Sequence, residues 1–158
     1  MVSHDSVRIA FTIAALNGLK VLGYDIQNAY LTASPRENVW TIEGAKFGSE
    51  NGKTMLIVRS LYGLKSSGAA FRVFIAETFD DIGYRASYAD PDVWTIPAIK
   101  DNEFRYWELV LWYVYDLLCM IHQRDKTMDG IKRYFNLKDD KVADPDFYLG
   151  ASIDWMQK

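Results

Sequence analysis

Apolar side chains at Val7, Phe11, Ala14 and Ala15 recur at helical spacing, predicting a helix over 4–17 with Ser3 as N-cap and Gly18 as its stop. The pattern then changes to a short apolar run, and 20–25 reads as a buried strand ending on Asp25. Two short strands, 39–42 and 55–58, predict a hairpin around a polar loop carrying Gly48, Asn51 and Gly52. After a turn at Leu61-Tyr62-Gly63-Leu64, the spacing of Phe71, Phe74, Ile75 and Phe79 predicts a helix over 68–81, stopped by Gly83. Strands over 93–99 and 104–114 flank a turn at 100–103. A tight turn at Tyr115-Asp116 leads into a strand over 117–122. Thr127 reads as the cap of a helix reaching about residue 135, and 147–155 as the last strand.

Without the hairpin and one additional strand, the order is strand, helix, strand, turn, strand, helix, strand. That is the split β-α-β arrangement, in which the first strand lies beside the later hairpin. The predicted class is α+β: one antiparallel sheet of ferredoxin-like type with helices on one face, plus a small β-hairpin. Such a topology brings Asp25 and Asp116 to the same sheet edge.

Both aspartates end apolar runs, Val21-Leu22-Gly23-Tyr24-Asp25 and Leu109 through Tyr115-Asp116. An ionised carboxylate there is costly unless it is solvated, paired or holding a metal, so two of them suggest a shared cation site. Polar capping of two solvated strand ends is the other reading.

Composition narrows the picture. The chain has 158 residues, 49% of them apolar, enough for one good core and a single domain over 1–158. A net charge of -3 does not by itself suggest a surface that attracts phosphate backbones. The basic residues of interest are Arg59, Lys65, Arg72 and Arg85, with Lys132 and Arg133 further on; they read equally well as a solvated face. The lone Cys119 excludes an internal disulfide and a cysteine-based zinc site, and fits a reducing compartment. No N-terminal signal pattern is present, and the apolar run over 109–120 is interrupted by Asp116 and too short to span a bilayer. A soluble, non-secreted protein with no membrane partner is expected. His4 and His122 lack neighbours at metal-ligand spacing. The tryptophans Trp40, Trp94, Trp107, Trp112 and Trp155 fall mostly on predicted strands and read as core or as bare surface. No P-loop, Ser-His-Asp set or glycine-rich dinucleotide turn is present.

Four ordered blocks carry a resemblance. They are the helix from Ser6-Val7-Arg8 to Ala14-Ala15 leading to Tyr24-Asp25-Ile26-Gln27-Asn28-Ala29-Tyr30-Leu31; Ser60-Leu61-Tyr62-Gly63-Leu64-Lys65; Gly83-Tyr84 with Asp90-Pro91-Asp92 and Tyr113-Val114-Tyr115-Asp116-Leu117-Leu118; and Tyr148-Leu149-Gly150. In this order they resemble the reverse transcriptase (RNA-dependent DNA polymerase) of copia-type LTR retrotransposons. The resemblance implies a polymerase palm with part of the fingers, cut from a polyprotein, with the thumb and ribonuclease H absent. It further implies RNA-templated DNA synthesis by nucleotidyl transfer on two Mg2+ ions, with an RNA template, a DNA primer and dNTP as partners, in a cytoplasmic virus-like particle.

By that resemblance Asp25 bridges both ions, the backbone carbonyl of Ile26 helps hold one, and Asp116 is the more peripheral carboxylate. Tyr113, Tyr30, Lys65 and Ser66 fall at nucleotide- and template-binding positions. Tyr30 reads equally as a core aromatic or as the floor beneath the nucleotide sugar. The family's Gln-Ala-Pro-Arg after the lysine is Ser66-Ser67-Gly68-Ala69 here, where a helix N-cap is the plainer role for the serines.

One departure outweighs the matches. Where the family has Tyr-Val-Asp-Asp, this chain has Tyr115 in place of the first Asp, and a neutral phenol is a poor magnesium ligand. If the ion contributes several kcal/mol to the transition state, its loss slows the reaction by about a thousandfold or more. The expectation is an inactive or crippled polymerase site. The competing reading is a non-catalytic palm-fold module that binds nucleic acid or a protein partner.

Overall fold

The computed structural model describes residues 1–122, 124–138, 145, 147–148 and 151–154. These divide into two compact units, one of 1–27 with the segment from Thr78 onward, the other of Asn28–Glu77.

The first unit is built on a five-stranded antiparallel sheet. Its strands are β1 (Lys20–Asp25), β4 (Arg85–Ala86), β5 (Val93–Ile99), β6 (Arg105–Tyr113) and β7 (Asp116–Ile121), in the order β1-β7-β6-β5-β4. The first strand therefore lies beside the hairpin β6-β7, as the chain pattern predicts. β4 was not foreseen: two exposed residues carry no period, yet they pair with Thr95 and Trp94.

Helix α1 (His4–Asn17) starts where Ser3 accepts a hydrogen bond from the Ser6 N–H and ends where Gly18 adopts φ 58°. Its buried contacts come from Ala10 and Ala14, which cluster with Val21, Leu109, Leu111, Leu118 and Met120. Ala15, expected on that face, is exposed, and the small Ala10 takes the place. Alternation along the strands sends Val110, Leu117, Cys119 and Ile121 to the opposite face. There Phe79, near the end of α3 (Ser67–Asp81), stacks on Trp94 with ring centroids 5.3 Å apart. Thr127 of α4 (Arg124–Lys132) reaches Glu108 on the same face. Helices thus cover both faces, whereas the sequence pattern places them on one. Burying a large side chain such as Phe79 or Ile131, both 0% exposed, contributes about 2–3 kcal/mol.

Two other expectations shift. Thr127 lies inside α4 rather than capping it, because its hydroxyl is taken by Glu108. Instead of one strand over 147–155, β8 (Phe147–Tyr148) and β9 (Ala151–Ser152) pair with each other as a minimal hairpin; Trp155 lies outside the described residues.

In the second unit, β2 (Trp40–Ile42) and β3 (Thr54–Leu56) form the expected hairpin, slightly displaced from 39–42 and 55–58. Its polar loop holds a 3-10 segment, Ala45–Glu50, interrupted at Gly48 with φ 57°. A short helix α2 (Ala29–Thr32) and the start of α3 complete this unit. No helix among the described residues is long and apolar enough to cross a membrane.

Candidate active site

Asp25 is the last residue of β1 and Asp116 the first of β7, and the two are partners in the register. The Ile26 N–H donates to the Tyr115 carbonyl at 2.9 Å, so the bond skips the aspartates and makes them a non-hydrogen-bonded pair. That is the closer of the two antiparallel classes, with Cα atoms about 4.5 Å apart. On the Asp116 carboxyl, burial acts first and the Asp25 charge second; both raise its pKa above the ordinary carboxylate value, while Lys138 pulls the other way.

The turn between β6 and β7 is Val114-Tyr115, one residue earlier than the sequence suggests, since Asp116 already pairs with Tyr113 in the sheet. Val114 has φ 57°, a left-handed conformation that costs a β-branched residue about 1–2 kcal/mol. Two hydrogen bonds hold it there: Trp112 Nε1–H to the Val114 carbonyl at 2.7 Å, and Ile26 N–H to the Tyr115 carbonyl. Tyr115 is 42% exposed at the tip, so the turn presents a phenol where the pattern calls for a carboxylate.

The other side of β1 carries a feature that sequence reading missed. Ile26 bridges Leu137, the Gln27 N–H donates to the Asn136 carbonyl, and the Lys138 N–H donates to the Asp25 carbonyl at 2.8 Å. This seats the Lys138 ammonium 3.4 Å from Asp25 Oδ2. No local signal marks a lysine 113 residues away as its partner; only a strand extension past Asp25 brings them together.

Of the remaining predicted residues, Tyr113 ends β6 opposite Asp116, and Ile26 is buried. Tyr30, Lys65 and Ser66 belong to the second unit. Tyr30 packs there against Tyr62 at 4.7 Å and edge-on to Phe71 at 5.9 Å, an aromatic cluster that gives its core role a physical basis. Lys65 is exposed. Ser66 starts α3 through its carbonyl, which accepts from Ala70 N–H at 2.9 Å. Its buried hydroxyl has no hydrogen-bond partner among the described residues, so the expected side-chain cap is not made. Arg59 donates to the Thr32 carbonyl and Arg85 is paired with Asp80, so neither is a free surface cation. Trp94 and Trp112 are core residues, while Trp40 and Trp107 are more than half exposed.

The donors suit a divalent cation only in part. Asp25, Asp116 and the Ile26 carbonyl offer hard oxygen atoms of the kind a divalent cation takes, and the Asp116 carboxyl is raised by burial first and by the Asp25 charge second. Among the described residues no group of three or more His, Cys, Asp or Glu converges.

The family model described as reverse transcriptase (RNA-dependent DNA polymerase) matches residues 1–158, and the chain belongs to that family. Comparison with curated proteins gave no match, and comparison with solved structures gave none.

Proposed function

We propose that this chain is a reverse transcriptase of the copia type whose ancestral reaction is RNA-templated DNA synthesis, and that this copy is inactive or crippled. The single observation that carries the reading is the pairing of Asp25 with Asp116 beside a turn whose tip is Tyr115. In the proposed palm, split β-α-β in type, β1, β6 and β7 are the catalytic strands, and the hairpin β2-β3 is the fingers part. Mg2+, when bound, lowers the pKa of the attacking 3′ hydroxyl and steadies the triphosphate.

Asp25, Asp116 and the Ile26 carbonyl are the groups proposed to hold it. The strained turn fixes where position 115 projects, and the phenol there adds no negative charge. Lys138 neutralises part of the Asp25 charge and so competes with a divalent ion for it. Template, primer and dNTP are the proposed substrates, with Tyr30, Lys65, Ser66 and Tyr113 as their candidate contacts.

A second reading, a non-catalytic palm-fold module that binds a partner, has one observation in its favour. Trp40, Ile42 and Val58 in and beside the small hairpin are 60%, 72% and 67% exposed, an apolar surface of the kind partners cover.

Manganese binding separates the two. Restoring a third carboxylate with Tyr115→Asp is expected to tighten Mn2+ binding about tenfold, since attraction between one carboxylate and a divalent ion, less its repulsion by the other two acids, is roughly 1–2 kcal/mol near water's dielectric. Unchanged affinity would remove position 115 from the metal site and favour the binding-module reading.

A further inference from the structure

A cavity of about 660 Å³ opens on the sheet face opposite α1, between the end of α3, strands β5 and β6, and α4. Ile82 and Ile96 form an apolar wall, and Tyr84 and Tyr106 line it beside Glu108. Glu108 is 7% exposed. Its Oε1 accepts from the Tyr106 hydroxyl at 2.9 Å and the His122 N–H at 3.2 Å, and its Oε2 from the Thr127 hydroxyl at 3.0 Å.

All three donors are neutral. Burial raises both phenols, Tyr84 and Tyr106, well above their ordinary value, so they remain uncharged partners. Among the described residues no lysine, arginine or histidine forms an ion pair with Glu108. A buried carboxylate without a counter-charge is an expensive thing to keep, and dipoles replace only part of its lost hydration. Each carboxylate oxygen accepts two hydrogen bonds, so Oε2 retains one open position. The lining holds three acids, Asp81, Glu108 and Asp129, against one base, Arg133, which disfavours an anion.

We propose that this cavity binds a primary alkylammonium group. The ammonium sits on Glu108 Oε2 beside Tyr84, the Tyr106 ring being taken by the Lys100 ammonium 5.5 Å from its centroid, and its methylene chain lies along Ile82 and Ile96. Exposed Asp129 at the rim receives a second ammonium, which makes a free diamine the matching ligand. One open carboxylate oxygen among phenols and aliphatic carbons is a poor octahedral donor set, so a hard metal ion does not suit it. An organic cation uses both the charge and the apolar wall. The site lies apart from Asp25 and Asp116, which lie on the α1 face by strand alternation.

The test is methyl NMR of the isoleucine-labelled full chain titrated with 1,5-diaminopentane, with 1,5-pentanediol as the uncharged match in length. Saturable shifts of the Ile82 and Ile96 methyls with the diamine and none with the diol are expected. The affinity should drop at least tenfold in Glu108→Gln and about threefold in the rim variant Asp129→Asn, which leaves the interior intact. Nα-acetyl-lysine amide separates the two sources of such an ammonium: binding tighter than the diamine's assigns the site to a protein lysine, weaker binding to a free amine. No saturable shift with either amine overturns the proposal, as does equal binding of the diol, or an affinity unmoved in both variants.

Discussion

Asp25 and Asp116 stand opposite each other as a non-hydrogen-bonded pair of β1 and β7, the pairing class in which antiparallel backbones bring opposed Cα atoms closest. The Asp116 pKa is raised, by burial first and Asp25 second. A raised folded-state pKa means that stability from this group is present below the ordinary carboxylate value and lost as pH rises through the folded value. At neutral pH the pair therefore opposes folding. Asp116→Asn should stabilise the protein by up to about 1 kcal/mol at pH 7, a figure kept small by solvent screening at this partly exposed site. The gain should vanish near pH 3. Urea melts at both values check it, and a loss of stability at pH 7 would contradict the assigned repulsion.

Removing Lys138 should have the opposite sign. Its charge lowers the Asp116 pKa and pairs with Asp25 at 3.4 Å, so Lys138→Met leaves the two carboxylates less compensated. The expected loss is about 0.5 kcal/mol at pH 7, in the range of exposed pairs. It should fade in high salt, which the same melts with added NaCl would show.

Val114 at φ 57° stores strain in the turn. Val114→Asn, a residue that tolerates the left-handed region, should stabilise by about 1 kcal/mol. If instead the melt is unchanged, the left-handed conformation at position 114 stores no strain that a change of side chain relieves.

Thr127→Val keeps the shape of the side chain and removes the hydroxyl that Glu108 Oε2 accepts from. Leaving a buried carboxylate short of a donor should cost about 1–3 kcal/mol, read from denaturant melts. An unaffected protein would mean that water replaces the hydroxyl through the cavity.

Cys119 is 0% exposed and burial raises its thiol well above the ordinary value, so it should resist disulfide reagents in the folded protein. Labelling should follow global unfolding and become complete in guanidinium. Rapid labelling of the native chain would show that β7 opens on its own.

Much of the fold was legible because local signals and tertiary packing agree. Ser3 and Gly18 bracket α1, and β1 and β5 have unbroken patterns, so their bounds match the expectation, while α3, closed off by Gly83, begins one residue earlier than expected. Disagreement falls where a residue's partner is remote. Thr127 looks like a cap until Glu108, buried on β6, claims its hydroxyl. The site divides in the same way. Asp25 and Asp116 stand out as acids ending apolar runs, and the register pairs them, whereas Lys138 arrives through the Ile26–Leu137 bridge, which no periodicity announces. Ser66 departs from the expectation that a serine before a helix caps it: its hydroxyl finds no partner among the described residues, and Ser67 makes the loop contact, its hydroxyl donating to the Leu61 carbonyl.

Under the proposed function, Tyr115 is what disables the site. Primer extension on an RNA template with Mg2+ or Mn2+, comparing the chain with its Tyr115→Asp variant, each fused to a family thumb, tests it most directly. Extension by the variant alone, with the unmodified chain slower by about a thousandfold or more, is the predicted result. Equal extension by both would contradict it, leaving Asp25 and Asp116 sufficient for the reaction.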